Sequence, residues 1–265
     1  MASKAQTIIF ARIAATLVLL SAQAGQSQDT AAPFRDATAT ALLTHALAAM
    51  GGTKLNSVAY IHAEGRHTIP NSSEASEAIA WDDDWSSGVL RSRREVTESS
   101  GHTMVRIMDA THDDAAAALA DGRYASYQMA ANSLAVPLHL PALVLSHLLR
   151  DNRYEISLRQ DAQADKAGLF HVFTSLHTGD RREPLSDLDW FLPKQSWYPD
   201  HVLFRTPDLV RPGELLQATV RYSSYSTRAG VALPLVQTWV EPNGAEDQYS
   251  FSDISFPTSA PAVLH

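Results

Sequence analysis

Eleven short segments of this chain read as strands bounded by turn signals, and few helical patterns separate them. They are 58–68, 77–81, 88–97, 102–109, 154–160, 168–178, 188–192, 201–205, 216–225, 233–241 and 247–256. Several alternate cleanly: Tyr154, Ile156 and Leu158 share one face, opposite Glu155, Ser157 and Arg159. Pro242-Asn243-Gly244 is a strong turn between the last two. Parallel neighbours need long crossovers, usually helical, so a chain with few helices predicts a mainly antiparallel sheet.

Two helices are predicted. One runs from about Asp36 to Met50, with Asp36 as its cap and Ala39, Leu42, Leu43, Ala46, Leu47 and Met50 at helical spacing. Gly51-Gly52 ends it. The other begins at Pro141, a residue suited to a first helical position. It falls at the end of 26 residues without formal charge, Tyr124 to Leu149. Residues 142–149 are apolar on almost every side, and such a helix is buried. Pro137, Pro141, Asn132, Gln128 and His139 interrupt the stretch, which argues against a bilayer span. A buried helix between two groups of strands implies a sheet wrapped around it.

The first residues predict export. Lys4 and Arg12 are the only charges among the first 24 residues, and Ile13–Leu20 forms a short apolar core. Ala22-Gln23-Ala24 follows, the order of a secretory signal peptide cleaved after Ala24. A bilayer span needs about 20 apolar residues, so this run is too short for an anchor. Residues 25–33 read as a linker, 34–257 as one β-rich domain and 258–265 as a tail. Without the leader, 19 basic residues face 29 acidic ones, a balance of −10. That charge disfavours nucleic acid or an anionic membrane surface as partner. The basic cluster Arg91, Arg93 and Arg94 is split by strand alternation and reads as a solvated face. There is no cysteine, which excludes disulfides and Cys-type zinc sites. No stable membrane insertion is expected after cleavage.

Catalytic signatures are absent: no G-x-S-x-G, S-x-x-K, phosphate loop, G-x-G-x-x-G or H-E-x-x-H occurs. The expectation is a protein that is not an enzyme and carries no cofactor or metal. Asp82-Asp83-Asp84 can be weighed as a calcium site, but lacks a ligand loop and reads as a solvated hairpin tip. His112-Asp113-Asp114 reads as a cap before a helix at Ala115–Ala120 rather than a metal corner. His171 and His177 share a strand face about 20 Å apart, too far for one ion. His139 and His147 read as satisfied buried histidines. The aromatic set Trp81, Trp85, Trp190, Phe191, Trp197, Tyr198 and Trp239 fills a core or lines a cavity.

Three stretches resemble LolA/LolB-like lipoprotein-carrier domains. ALAAMGGTKLNSVAYIHAEGR (46–66) is similar to their opening helix, Gly-Gly break and first strand. DLDWFLPKQSWYPDHVLFR (187–205) is similar to their aromatic strand, turn and return strand. VRYSSYSTRAGVALPLVQTWVEPNGAEDQYSFSDISF (220–256) is similar to their closing strands. The resemblance implies a half-open antiparallel β-barrel of about eleven strands with helices packed on the concave face. It implies a periplasmic or secreted binder or carrier of lipid, lipoprotein acyl chains or a similar hydrophobic ligand, with an envelope protein as a possible partner. Trp81, Leu143, Val144, Leu148, Trp190, Trp197 and Trp239 are then the candidate cavity residues. The family also includes sensors and a pigment-pathway enzyme, so an interaction or sensor module is the second reading and an envelope enzyme the third. LolB-type members carry a lipidated cysteine that this chain lacks. The carriers have an arginine against their lid helices; Arg66 is the nearest by position, in a context that does not match the family's pattern.

Overall fold

Alternation of apolar and polar residues is realised in the computed structural model as thirteen strands among the described residues. Residues 32–70, 76–84, 91–98, 100–109, 116–119, 140–208, 211 and 214–259 are described. The strands are β1 (Tyr60–Thr68), β2 (Glu77–Asp84), β3 (Arg91–Thr97), β4 (Thr103–Asp109), β5 (Ala116–Leu119), β6 (Tyr154–Leu158), β7 (Leu169–Thr178), β8 (Arg181–Arg182), β9 (Leu188–Pro193), β10 (His201–Pro207), β11 (Leu215–Arg228), β12 (Val231–Val240) and β13 (Glu246–Ser255). Eleven match the expected segments; β5 and the two-residue β8 are additional. Their order is β5-β4-β3-β2-β1-β13-β12-β11-β10-β9-β7-β6, with β8 paired to β7 alone. Every strand pair is antiparallel. Among the described residues the end strands β5 and β6 do not pair with each other, so the barrel is open.

Helix α1 (Ala37–Ala49) starts where Asp36 predicts, its carboxylate accepting from the Ala39 amide at 2.8 Å. Ala39, Leu42, Leu43, Ala46 and Met50 are buried. Gly51 ends it at φ 105°, the left-handed conformation that glycine adopts cheaply. A 3-10 turn (Gly52–Ser57) leads into β1. Helix α2 (Pro141–Arg150) has Pro141 in its first turn and buries Ala142, Leu143, Leu145, Ser146 and Leu148. It packs on α1, on the 3-10 turn and on β12, whereas α1 packs on β6. The short helix α3 (Ala162–Lys166) is capped by Asp161. The helices and the inward residues of the sheet form one apolar core, in which Ile61, Val172, Trp190, Val202, Val220 and Leu233 meet Leu43, Leu145 and Leu148. From Pro33 onward the chain is one compact unit.

Two local expectations are corrected. Asp82-Asp83-Asp84 is the end of β2, paired on both sides, and all three carboxylates are buried. Compensation makes this tolerable: Asp82 lies 2.8 Å from His62 Nδ1, and in register it faces His62 on β1 and Arg93 on β3. Ala116–Leu119 is strand, not helix, because pairing with β4 overrides alanine's helical preference. The expected leader 1–24, residues 25–31 of the linker, Trp85, the His112 cluster, His139 and residues 260–265 lie outside the described residues.

Candidate ligand-binding site

Register places a row of aromatic side chains on the helix-bearing face. Ala63 of β1 faces Trp81 of β2, Gly65 faces Phe251 of β13, and Tyr249 faces Gln237 of β12. Trp81 contacts Phe251 edge-on at 4.7 Å and Tyr249 at 5.4 Å. Tyr249 meets Trp239 at 6.5 Å, and Trp239 meets Phe204 of β10 at 5.2 Å. Trp239 reaches Phe204 because the strand between them presents the small Ala218 opposite Phe204. The result is an aromatic band across β2, β13, β12 and β10. Trp239 and Tyr249 are only partly buried.

The seven candidate residues join the same core but not one cluster. Trp81 and Trp239 belong to the band. Leu143 and Leu148 are buried on α2, and Val144 packs against the core from the same helix. Trp190 is fully buried on β9, its indole N–H donating to Thr174 Oγ1 at 3.0 Å. Trp197 sits apart, in the β9–β10 turn, where it stacks on Phe170 at 5.7 Å and meets His45 of α1 at 5.3 Å. Its φ of 64° is rare for a large side chain, so the surrounding packing holds it there. Tyr198 stacks on Tyr225 at 4.7 Å beside it.

A charged rim borders the band. His67 places Nδ1 2.7 Å from Glu77 and Nε2 3.0 Å from Asp247. The hydrogen bond to Asp247 raises its pKa, burial opposes, and Glu77 adds to the rise. On the outer face of β1, His62 lies 2.8 Å from Asp82 and 3.3 Å from Glu64. Burial lowers its pKa, but Asp82 and Glu64 outweigh it and the net direction is up. Glu241, at the end of β12, is raised by burial and then by Asp247. His147 of α2 is lowered by burial. His171 bridges Asp161 and Asp189 at 3.0 and 2.8 Å, and His177 meets Glu155 at 3.0 Å, so these two histidines have separate partners.

Among the described residues, Arg66 does not meet a helix. It is exposed on the outer face, where a groove of about 610 Å³ runs over β13, β1, β2 and β3. Ala78, Ala80, Ser250 and Ser252 keep its floor low, and Glu64, Arg66 and Glu95 stand around it. Those charges suit water or a polar partner better than an acyl chain. The arginine that meets α2 is Arg35, which donates to the carbonyls of Asp151 and Leu149 at 3.1 Å each. Beside it, Asp36 N donates to Ile156 O at 2.8 Å and Ile156 N to Phe34 O at 3.0 Å, a parallel bridge along β6. No local signal identifies Arg35: its partners lie 114 and 116 residues away.

An open, mainly antiparallel β-sheet curved around two apolar helices defines this protein's class. That fold is similar to LolA/LolB-like lipoprotein-carrier domains. A domain from Vibrio parahaemolyticus, provisionally described as an outer membrane lipoprotein-sorting protein, aligns with TM-score 0.54 at 13% identity over 85% of this chain and 95% of its own. A DUF1329 family protein from Desulfovibrio piger aligns with TM-score 0.53 at 9% identity over 84% of this chain and 95% of its own. At such identities the likeness is one of fold. No family model matches the chain, and no curated protein matches it.

Proposed function

We propose that this chain is a periplasmic, non-enzymatic binder or carrier of an apolar ligand such as an acyl chain, exported by the leader at 1–24. The aromatic band on the concave face carries this reading: Phe204, Trp239, Tyr249, Trp81 and Phe251 form a continuous apolar area across the middle strands of the sheet, and two of them remain partly uncovered. Each buried methylene contributes about 0.8 kcal/mol, so an acyl chain of about ten methylenes laid on the band offsets the cost of shifting α2. In this reading Trp81 and Trp239 contact the ligand first. Leu143, Val144 and Leu148 occupy the interior when it is empty, and Trp190 and Trp197 line its far side. The sorting role given for the Vibrio domain makes lipoprotein acyl chains a natural ligand class.

Titration with a fluorescent fatty acid tests this. Saturable binding is expected, weakened at least tenfold by Trp239→Ala, with lipid retained by protein purified from a periplasm. Folded protein that binds no apolar probe and carries no lipid ends the proposal. The outer groove, with Glu64, Arg66 and Glu95 around it, favours a protein-interaction module as the second reading.

A further inference from the structure

Both ring nitrogens of His67 face carboxylates, Glu77 on β2 and Asp247 on β13. A neutral imidazole carries a single N–H, so only the imidazolium satisfies both acceptors. The 2.7 Å spacing to Glu77 is that of a charge-assisted hydrogen bond, and the 3.0 Å spacing to Asp247 is an ordinary N–H···O distance. Through one ring, three neighbouring strands are tied side chain to side chain. The position matters as much as the charge. His67 stacks on Tyr249 at 4.9 Å, and Tyr249 is the ring on which Trp81 and Trp239 lean. Asp247 is the cross-strand partner of Trp239.

We propose that His67 is a proton-operated tie at the edge of the aromatic band. Protonated, it holds β2, β1 and β13 together beneath the rings. Deprotonated, it must release one carboxylate, and Tyr249 loses the cation beside it, so the band loosens and admits apolar ligand. The control of access rests on the binder reading above; the tie itself does not. The groups facing the imidazole are Glu77 from β2 and Asp247 and Tyr249 from β13, with Glu241 at the end of β12 close enough to feel the charge of Asp247. Among the described residues, no lysine or arginine forms an ion pair with Glu77, Asp247 or Glu241. Among those residues, no cationic side chain replaces the imidazolium when it titrates. Because its pKa is raised, the tie is fully present below the ordinary histidine value and is lost as pH rises through the folded-state value.

The test uses the folded chain and an anilinonaphthalene dye, titrated from about pH 5 to about pH 9, a range that spans histidine ionisation. Wild type is expected to bind more dye as pH rises, and His67→Gln to bind strongly with no pH dependence. His62→Gln, on the outer face, should keep the wild-type profile. Ring-nitrogen NMR reads the tie directly: the His67 midpoint should lie above 6.5 and fall in Asp247→Asn. A His67→Gln profile identical to wild type refutes control of access. A neutral His67 ring at pH 6 refutes the tie itself. If no variant binds dye at any pH, the binder reading and the control of access fail together, and the NMR midpoint still decides the tie.

Discussion

Gly51→Ala adds one methyl group at the joint between helix α1 and the β11–β12 turn, and the cost follows from two separable effects. Gly51 has φ 105°, and placing an L side chain in the left-handed region costs about 1–2 kcal/mol. The new Cβ would also overlap the Gly230 carbonyl oxygen and lie 3.1 Å from Val231 Cα. These are backbone atoms with little room to yield. The next amide, Ala232 N, donates to Met50 O at 3.0 Å, and Val231 is buried. Overpacking of this kind adds about 1–3 kcal/mol, for a total of about 2–5 kcal/mol. At this chain length each kcal/mol lowers Tm by about 2–4 °C. Gly244→Ala isolates the first effect: its φ is 85°, yet nothing lies within 4 Å of an added Cβ. Urea unfolding followed by tryptophan fluorescence should show Gly51→Ala losing at least twice what Gly244→Ala loses. Equal losses would mean that the end of α1 does not dock on that turn.

Further outcomes are expected. Leu148→Ala, at a fully buried site on α2, should cost about 3–5 kcal/mol in the same assay, and a loss below about 1 kcal/mol would mean the helix is not packed there. Arg35→Ala removes two charged donors from the last carbonyls of α2 and should cost about 1.5–3 kcal/mol, with faster amide exchange over residues 145–151; unchanged exchange contradicts the contact. The stability difference between wild type and His62→Gln should be larger at low pH and shrink as pH rises through the raised folded-state pKa, and a difference that grows with pH reverses the assignment. N-terminal sequencing of exported protein should begin at Gly25 or within a few residues, whereas an intact Met1 in the membrane fraction counts against cleavage.

Much of the architecture is legible in the chain because its signals are local. Asp36 caps α1 through a hydrogen bond to a residue three positions on, Gly51 ends it by its own backbone freedom, and Pro141 opens α2. Alternation marks β6, and the Asn243 side chain accepting from Ala245 N at 2.8 Å closes the β12–β13 turn that Pro242-Asn243-Gly244 announces. These interactions span a few residues, so residue type and spacing suffice to predict them. The candidate site is different in kind. His67 meets Asp247 across 180 residues because β13 returns to lie beside β1. The same closure seats Tyr249 against Trp81. Arg35 finds α2 only once both are packed, and Asp82–Asp84 become buried only because β1 and β3 flank them. A strand's own residues specify its two faces; which strand lies alongside, and therefore which charges and rings meet across it, is decided by how the whole sheet closes around the helices.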